Sequence, residues 1–264
     1  MTDTLIILQA RLSSSRLPGK VLKQILGKPM LERQLQRLSH IKTPHQLLIA
    51  TSNEDSDLAI VKLSQQLNID CFQGDLEDVL SRYYHAALSA DKDNKIKHIV
   101  RLTGDCPLID PNIIDEVISL YLAKQVDYCS NCDPATLPDG LDIEIFSLKA
   151  LKIAYKQATL PSEREHVTPY IRNNPLLFSK VNYLYHSDFS HLRLTVDEPE
   201  DFELVTKIYE SLYPKKPMFN LDDILTLLKK RPSLTHINQK FIRNEGLVKS
   251  QKLDKNLTVK NIVQ

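Results

Sequence analysis

The chain has no tryptophan, and its 264 residues include only six glycines and four cysteines. So few glycines exclude a collagen-like repeat, and so few cysteines exclude a scaffold built on disulfides. No apolar run approaches the roughly 18 residues that a membrane-spanning helix needs, so no membrane insertion is expected. Charge of one sign is also missing: Lys plus Arg is 34, Asp plus Glu is 33, and the net charge is +1. Proteins that track a nucleic-acid backbone usually carry a larger basic excess, so no nucleic-acid partner is expected. The N-terminal apolar run ending at Leu8 is too short for a secretory signal and has no basic flank, which points to a cytoplasmic protein. What the chain does have is 42% hydrophobic residues, enough for a sizeable core and against wholesale disorder.

Cys129 and Cys132 form a C-x-x-C pair. A zinc site needs a second matched pair, and Cys71 and Cys106 stand far apart. Reduced, partly buried thiols are therefore expected.

Hydrophobic periodicity sets the fold class. Leu5–Leu8, Gln46–Ala50, Asp70–Phe72 and Lys97–Leu102 read as short strands. Met30–Leu38, Asp57–Leu67 and Leu76–Ser89 read as the helices between them, with the loop from Gln9 to about Lys28 before the first. This alternation predicts an α/β, Rossmann-like fold: a mostly parallel central sheet with helices on both faces. Further helices are expected over Pro111–Lys124, Leu148–Gln157, Ser162–Asn173, Pro199–Leu212 and from Asn220 to Lys229. Strands are expected at Leu141–Phe146, Phe178–Tyr185 and Leu192–Val196, with the stretch from Asp127 to Leu141 irregular. One domain over residues 1–240 is expected, with 140–190 a substrate and dimerisation subregion and 241–264 a polar tail.

In such sheets ligands sit beyond the carboxyl ends of the strands. Two loops there carry the densest chemistry. Residues 11–20 read Arg-Leu-Ser-Ser-Ser-Arg-Leu-Pro-Gly-Lys, three cations and three hydroxyls directly after a buried strand. Arg11 and Arg16 offer planar forks, Lys20 a point charge, and serines such as Ser13 further donors: a cradle for a triphosphate. Pro18 and Gly19 let the chain turn so that Lys20 points back. A Walker A loop is absent. The second loop, Thr103–Pro107, contains Asp105.

These segments resemble a known family. Gln9–Lys20 followed by Gly27-Lys28-Pro29-Met30-Leu31 is similar to the N-terminal signature of the CMP-sugar cytidylyltransferases, the acylneuraminate and ketodeoxyoctonate enzymes. The nearest likeness is to the spore-coat polysaccharide biosynthesis protein F type. It continues, in family order, through Gln73-Gly74-Asp75 and Asp78–Tyr83, Arg101–Ile109, Asp139–Glu144, Arg164–Thr168 and Thr195–Asp201. The resemblance implies a nucleotide-diphospho-sugar transferase fold. It also implies a reaction in which an oxygen of an acidic sugar attacks the α-phosphorus of CTP and pyrophosphate leaves.

The resemblance assigns roles as well. Asp105 and Asp197 would share Mg²⁺. Arg11, Arg16 and Lys20 would hold the phosphates. Ala10, Arg11 and Thr103 would read the cytosine, with Arg82 and Arg101 as weaker nucleotide contacts. Asp142, Glu144 and His166 would meet the sugar, and Glu165-His166 would do so across a homodimer, with Tyr170, Phe178, Tyr183 and Tyr185 as anchors. Cys106 stands where ketodeoxyoctonate enzymes carry Glu, which leaves the sugar open. Two other readings remain. One is a metal-dependent A-type glycosyltransferase, although no D-x-D turn follows the fourth strand. The other is a non-catalytic nucleotide-binding partner.

Overall fold

The computed structural model describes residues 2–243, 245–247, 250–252 and 254. In chain order its elements are β1 (Thr4–Gln9), β2 (Gln24–Ile25), β3 (Lys28–Pro29), α1 (Met30–Leu38), β4 (Gln46–Ser52), α2 (Leu58–Gln66), β5 (Asp70–Gly74), α3 (Val79–Ala90), β6 (His98–Thr103), α4 (Pro111–Lys124), β7 (Tyr128–Ser130), β8 (Glu144–Ser147), α5 (Leu148–Gln157), α6 (Pro161–His166), α7 (Pro169–Asn173), β9 (Lys180–Asn182), α8 (Pro199–Leu212) and α9 (Leu221–Lys230).

The main sheet runs β5-β4-β1-β6-β8-β7-β9. β1 pairs in parallel with β4 and β6, and β4 with β5. β8 joins antiparallel to β6 and β7, and β9 is parallel to β7. β1 lies inside the sheet, and Leu5 to Leu8 are fully buried. Its side chains alternate between two cores: Ile6 and Leu8 share one with α1, α4 and α8, while Leu5 and Ile7 share the other with α3 and α5. Burial on both faces explains the unbroken apolar run, and each such side chain contributes about 1.5–3 kcal/mol.

Several expectations need correction. Leu192–Val196 is not a strand. It makes one bridge, Asp139 with Arg193, and Val196 N donates to Asp105 O at 2.8 Å. The bridge needs close approach at Gly140, where an added Cβ would lie 2.3 Å from Thr195 N. The helix expected over Ser162–Asn173 is two helices, α6 and α7, broken at Val167. β7 forms inside the stretch expected to be irregular, and β9 is shorter than Phe178–Tyr185. The loop before α1 holds a 3-10 turn at Lys20–Leu22 and the β2–β3 hairpin.

The aromatic residues expected as dimer anchors mostly close the core. Phe178 is buried, and Tyr170, Tyr183 and Tyr185 pack against the two cores. The exposed large apolar residues of that subregion are Leu160, Leu176, Leu177 and Leu184. In the tail, residues 245–247, 250–252 and 254 are helical. Residues 255–264 lie outside the described residues.

Candidate active site

The carboxyl ends of β1 and β6 open into a cavity of about 360 Å³. Thr103 is fixed there because Gln34, buried on α1, donates its side-chain amide to Thr103 O at 2.8 Å. The loop after β1 is pinned by Asp57. This fully buried carboxylate accepts from Leu12 N at 2.7 Å, Ser52 Oγ at 2.6 Å and Thr51 Oγ1 at 3.0 Å. Gly19 then adopts φ 69°, ψ 13° and donates its N–H to Leu12 O. That left-handed turn, open to glycine without a Cβ penalty, sends Lys20 back under the loop as the sequence predicts.

Lys20 is 7% exposed. Its ammonium donates to Asp105 Oδ2 at 3.2 Å, Asp197 Oδ1 at 2.8 Å and Val196 O at 2.8 Å. Burial works against its charge, but Asp105 and Asp197 outweigh burial and hold its pKa above the ordinary value. Burial likewise opposes ionisation of Asp105, yet Lys20, Thr103 and Cys106 bring its carboxyl down to about 2. The two aspartates thus converge on one cation position.

Asp197 does not cap α8. Glu198 is its N-cap, and Asp201, the third residue of the helix, reaches back to accept from Asp197 N and Glu198 N at 3.0 Å. Arg193 ties this corner together, reaching Asp201 and Asp139 at 2.9 and 2.8 Å and Asp197 at 3.2 Å. Arg16 lies across the mouth, 3.0 Å from Asp197 and 3.4 Å from both Glu198 and Glu245.

Most of the residues expected at the site line one cavity: Ala10, Arg11, Arg16, Lys20, Thr103, Asp105, Asp142, Glu144, His166 and Asp197. Ser13 is exposed and off the wall, while Ser14 and Ser15 are on it. Ala10 N donates to Ala50 O. Arg82, expected as a nucleotide contact, is instead buried and does not line the cavity. Its Nη1 donates to Asp75 O at 2.9 Å, and its Nε and Nη2 have no partner among the described residues.

Asp142 and Glu144, which line the same cavity, are already engaged. Glu144 binds Arg101 at 2.6 Å and accepts from Tyr128 OH, and Asp142 pairs with Arg243. Arg243 comes from the tail, as does Ser250, whose hydroxyl lies 3.0 Å from His166 Nε2 and donates to Glu165 at 2.6 Å. Gln9, with a buried Oε1 lacking a partner among the described residues, and Arg172 also line the cavity; neither was singled out from sequence. Arg172 carries no local motif, and it lies on α7, beyond the break at Val167.

Among the described residues no group of three or more His, Cys, Asp or Glu side chains is arranged to hold a metal. No helix among them is long and apolar enough to cross a membrane.

Comparison with known proteins follows the same lines. A family model described as cytidylyltransferase matches residues 5–252. The chain is 32% identical over 240 residues to the spore coat polysaccharide biosynthesis protein SpsF of Bacillus subtilis, covering 88% of this chain and 96% of that one. It is 28% identical over 233 residues to a 3-deoxy-manno-octulosonate cytidylyltransferase 2 of Hydrogenovibrio crunogenus, covering 84% and 82%. The solved structure of a cytidylyltransferase from Leptospira borgpetersenii superimposes with a TM-score of 0.83 at 33% identity, covering 92% of this chain and all of that one.

Proposed function

We propose, from the premise that this chain belongs to the cytidylyltransferase family and is a CTP-dependent nucleotidyltransferase, that it transfers CMP to an acidic sugar of the nonulosonate or ketodeoxyoctonate kind for surface polysaccharide biosynthesis. The observation that carries this is one cavity lined both by the cradle with its aspartate pair and by Arg101 and Arg172, with Arg243 beside it on Asp142. The relatives' names, spore-coat polysaccharide synthesis and 3-deoxy-manno-octulosonate transfer, support the same substrate class.

In this reading Arg11, Arg16 and Lys20 take the triphosphate, and Arg16 exchanges its three carboxylate partners for phosphate oxygens. The carbonyl of Ala10, whose N–H is committed to Ala50, reads the base together with Thr103. The acceptor oxygen attacks the α-phosphorus and loses its proton, the bond to the β-phosphate oxygen breaks, and pyrophosphate leaves. The guanidiniums and Lys20 stabilise the charge that develops, an electrostatic contribution.

Asp105 and Asp197 fit Mg²⁺. Both are oxygen donors, and both lie within 3.2 Å of a single cationic atom, Lys20 Nζ. Mg²⁺ takes one or two carboxylates and completes its shell with phosphate oxygens and water. When bound, it would neutralise charge on the α-phosphate and the departing pyrophosphate. Pyrophosphate release tests the reading: CTP, Mg²⁺ and an acidic sugar should give it, whereas a neutral ketose should not. An enzyme that binds CTP but releases nothing with any acid would favour a silent nucleotide-binding partner.

A homodimer is part of this proposal. β9 forms an edge of the sheet, and exposed Leu176, Leu177 and Leu184 flank it, apolar surface that a second copy would cover. Light scattering at micromolar concentration should give twice the chain mass, and a monomer there removes the idea.

A further inference from the structure

Val167 lies between α6 and α7 with φ 71° and ψ −55°, and Thr168 N donates to His166 O at 2.8 Å. This is a γ-turn at a buried β-branched residue, a conformation that costs about 1–3 kcal/mol. Its effect is positional. In an unbroken helix, residues six apart sit about 240° around the axis. The turn instead brings His166, Thr168 and Arg172 to the same cavity wall. Strain of this kind persists where the surroundings over-determine it, and such places cluster at ligand sites.

Three carboxylates that line the same cavity already have donors: Arg243 for Asp142, Arg101 and Tyr128 for Glu144, Ser250 for Glu165. Arg172 forms no ion pair among the described residues, and its Nε is buried without a hydrogen-bond partner. A planar guanidinium left without an ion-pair partner matches a carboxylate in a two-point grip.

We propose that Arg172 receives the acceptor's carboxylate and is the residue that selects an acid over a neutral sugar. Asp142 and Glu144 then serve as buttresses that hold Arg243 and Arg101, rather than as sugar contacts. The proposal rests on the reading that the acceptor is acidic, and it adds the residue responsible.

Steady-state pyrophosphate release with ketodeoxyoctonate and N-acetylneuraminate, each beside its carboxamide, tests it. The parent should prefer acid to carboxamide. Arg172→Met should raise KM for the acid about 10- to 100-fold, the loss of a charge-assisted contact, and erase the preference. Arg172→Lys should recover part of both. CTP affinity, titrated without acceptor, should change less than about twofold, because Arg172 makes no contact with Arg11, Arg16 or Lys20, the residues assigned to the phosphates. An Arg172→Met enzyme that keeps the parent's KM and its preference for the acid overturns the proposal alone. A parent that uses only neutral acceptors, or no acid at all, overturns the acidic-sugar reading and this inference with it.

Discussion

Lys20→Met is expected to lose CTP binding while leaving the chain folded. The side chain is nearly isosteric, so little cavity opens beneath the loop. The charge, however, is gone. Asp105 and Asp197 both bind the Lys20 ammonium, so its loss leaves two carboxylates facing one another and the incoming triphosphate. Losing the desolvated pair that Lys20 would make with the bound phosphate costs about 2–5 kcal/mol, or roughly 30- to several-thousand-fold in affinity. Calorimetric titration with CTP measures it. A variant that binds CTP as the parent does would remove the phosphate cradle from the account.

The same variant carries a pH signature. Against burial, Lys20 is the chief partner that brings the Asp105 carboxyl down to about 2, below its value in an unfolded chain. A lowered carboxyl contributes stability that is present above the unfolded pKa and lost as pH falls through the folded one. The parent should lose this contribution between about pH 4 and pH 2. In Lys20→Met the contribution is absent, because burial then favours the protonated acid. Melting temperature followed from pH 6 to pH 2.5 should therefore fall less steeply in the variant, from a different starting value.

Which parts of this were legible in the sequence follows from range. Met30–Leu38, Pro111–Lys124, Leu148–Gln157 and Pro199–Leu212 coincide with α1, α4, α5 and α8, because amphipathic period and end signals are local. Leu192–Val196 has the alternation of a strand, yet its backbone partners are Asp139 and Asp105, distant in sequence, and Arg193 is held by three aspartates. No local pattern records that. Val167 reads as helix interior because nothing in its neighbours announces a residue with positive φ. Arg172, five positions on, therefore carries no signal of its own in the sequence.

The cradle was legible for the opposite reason: its cations, its hydroxyls and the Pro18-Gly19 turn lie within ten consecutive residues. The convergence of Asp105 and Asp197, ninety-two positions apart, came from resemblance rather than from spacing. The tail shows the limit most plainly. Arg243, Glu245 and Ser250 look like solvated polar residues in sequence, yet they reach Asp142, Arg16 and His166 across the cavity.

The aspartate pair gives the other large effect, with Asp201 as its control. Asp105→Asn and Asp197→Asn should both fold. Asn keeps the shape, and the capping box of α8 is made by Glu198 and Asp201, not by Asp197. Turnover should nevertheless fall about 100-fold or more, because a neutral amide is a poor ligand for a hard cation whose charge supplies several kcal/mol at the transition state. The loss should fall on kcat rather than on CTP affinity, since that charge acts most on the departing pyrophosphate. Mn²⁺ titration followed by electron paramagnetic resonance, with CTP present and no turnover, should show weakened metal binding in both variants. Asp201→Ala should behave in the reverse manner. Its carboxylate is fully buried and holds Arg193, two backbone N–H groups and Asn238. Removing it breaks a buried pair at a cost of about 3–5 kcal/mol, so melting temperature should drop, with Mn²⁺ still bound below the new transition. If Asp197→Asn instead lowers the melting temperature and leaves turnover and Mn²⁺ affinity intact, Asp197 only anchors Arg16, Lys20 and Arg193, and the shared metal site is lost from the proposal.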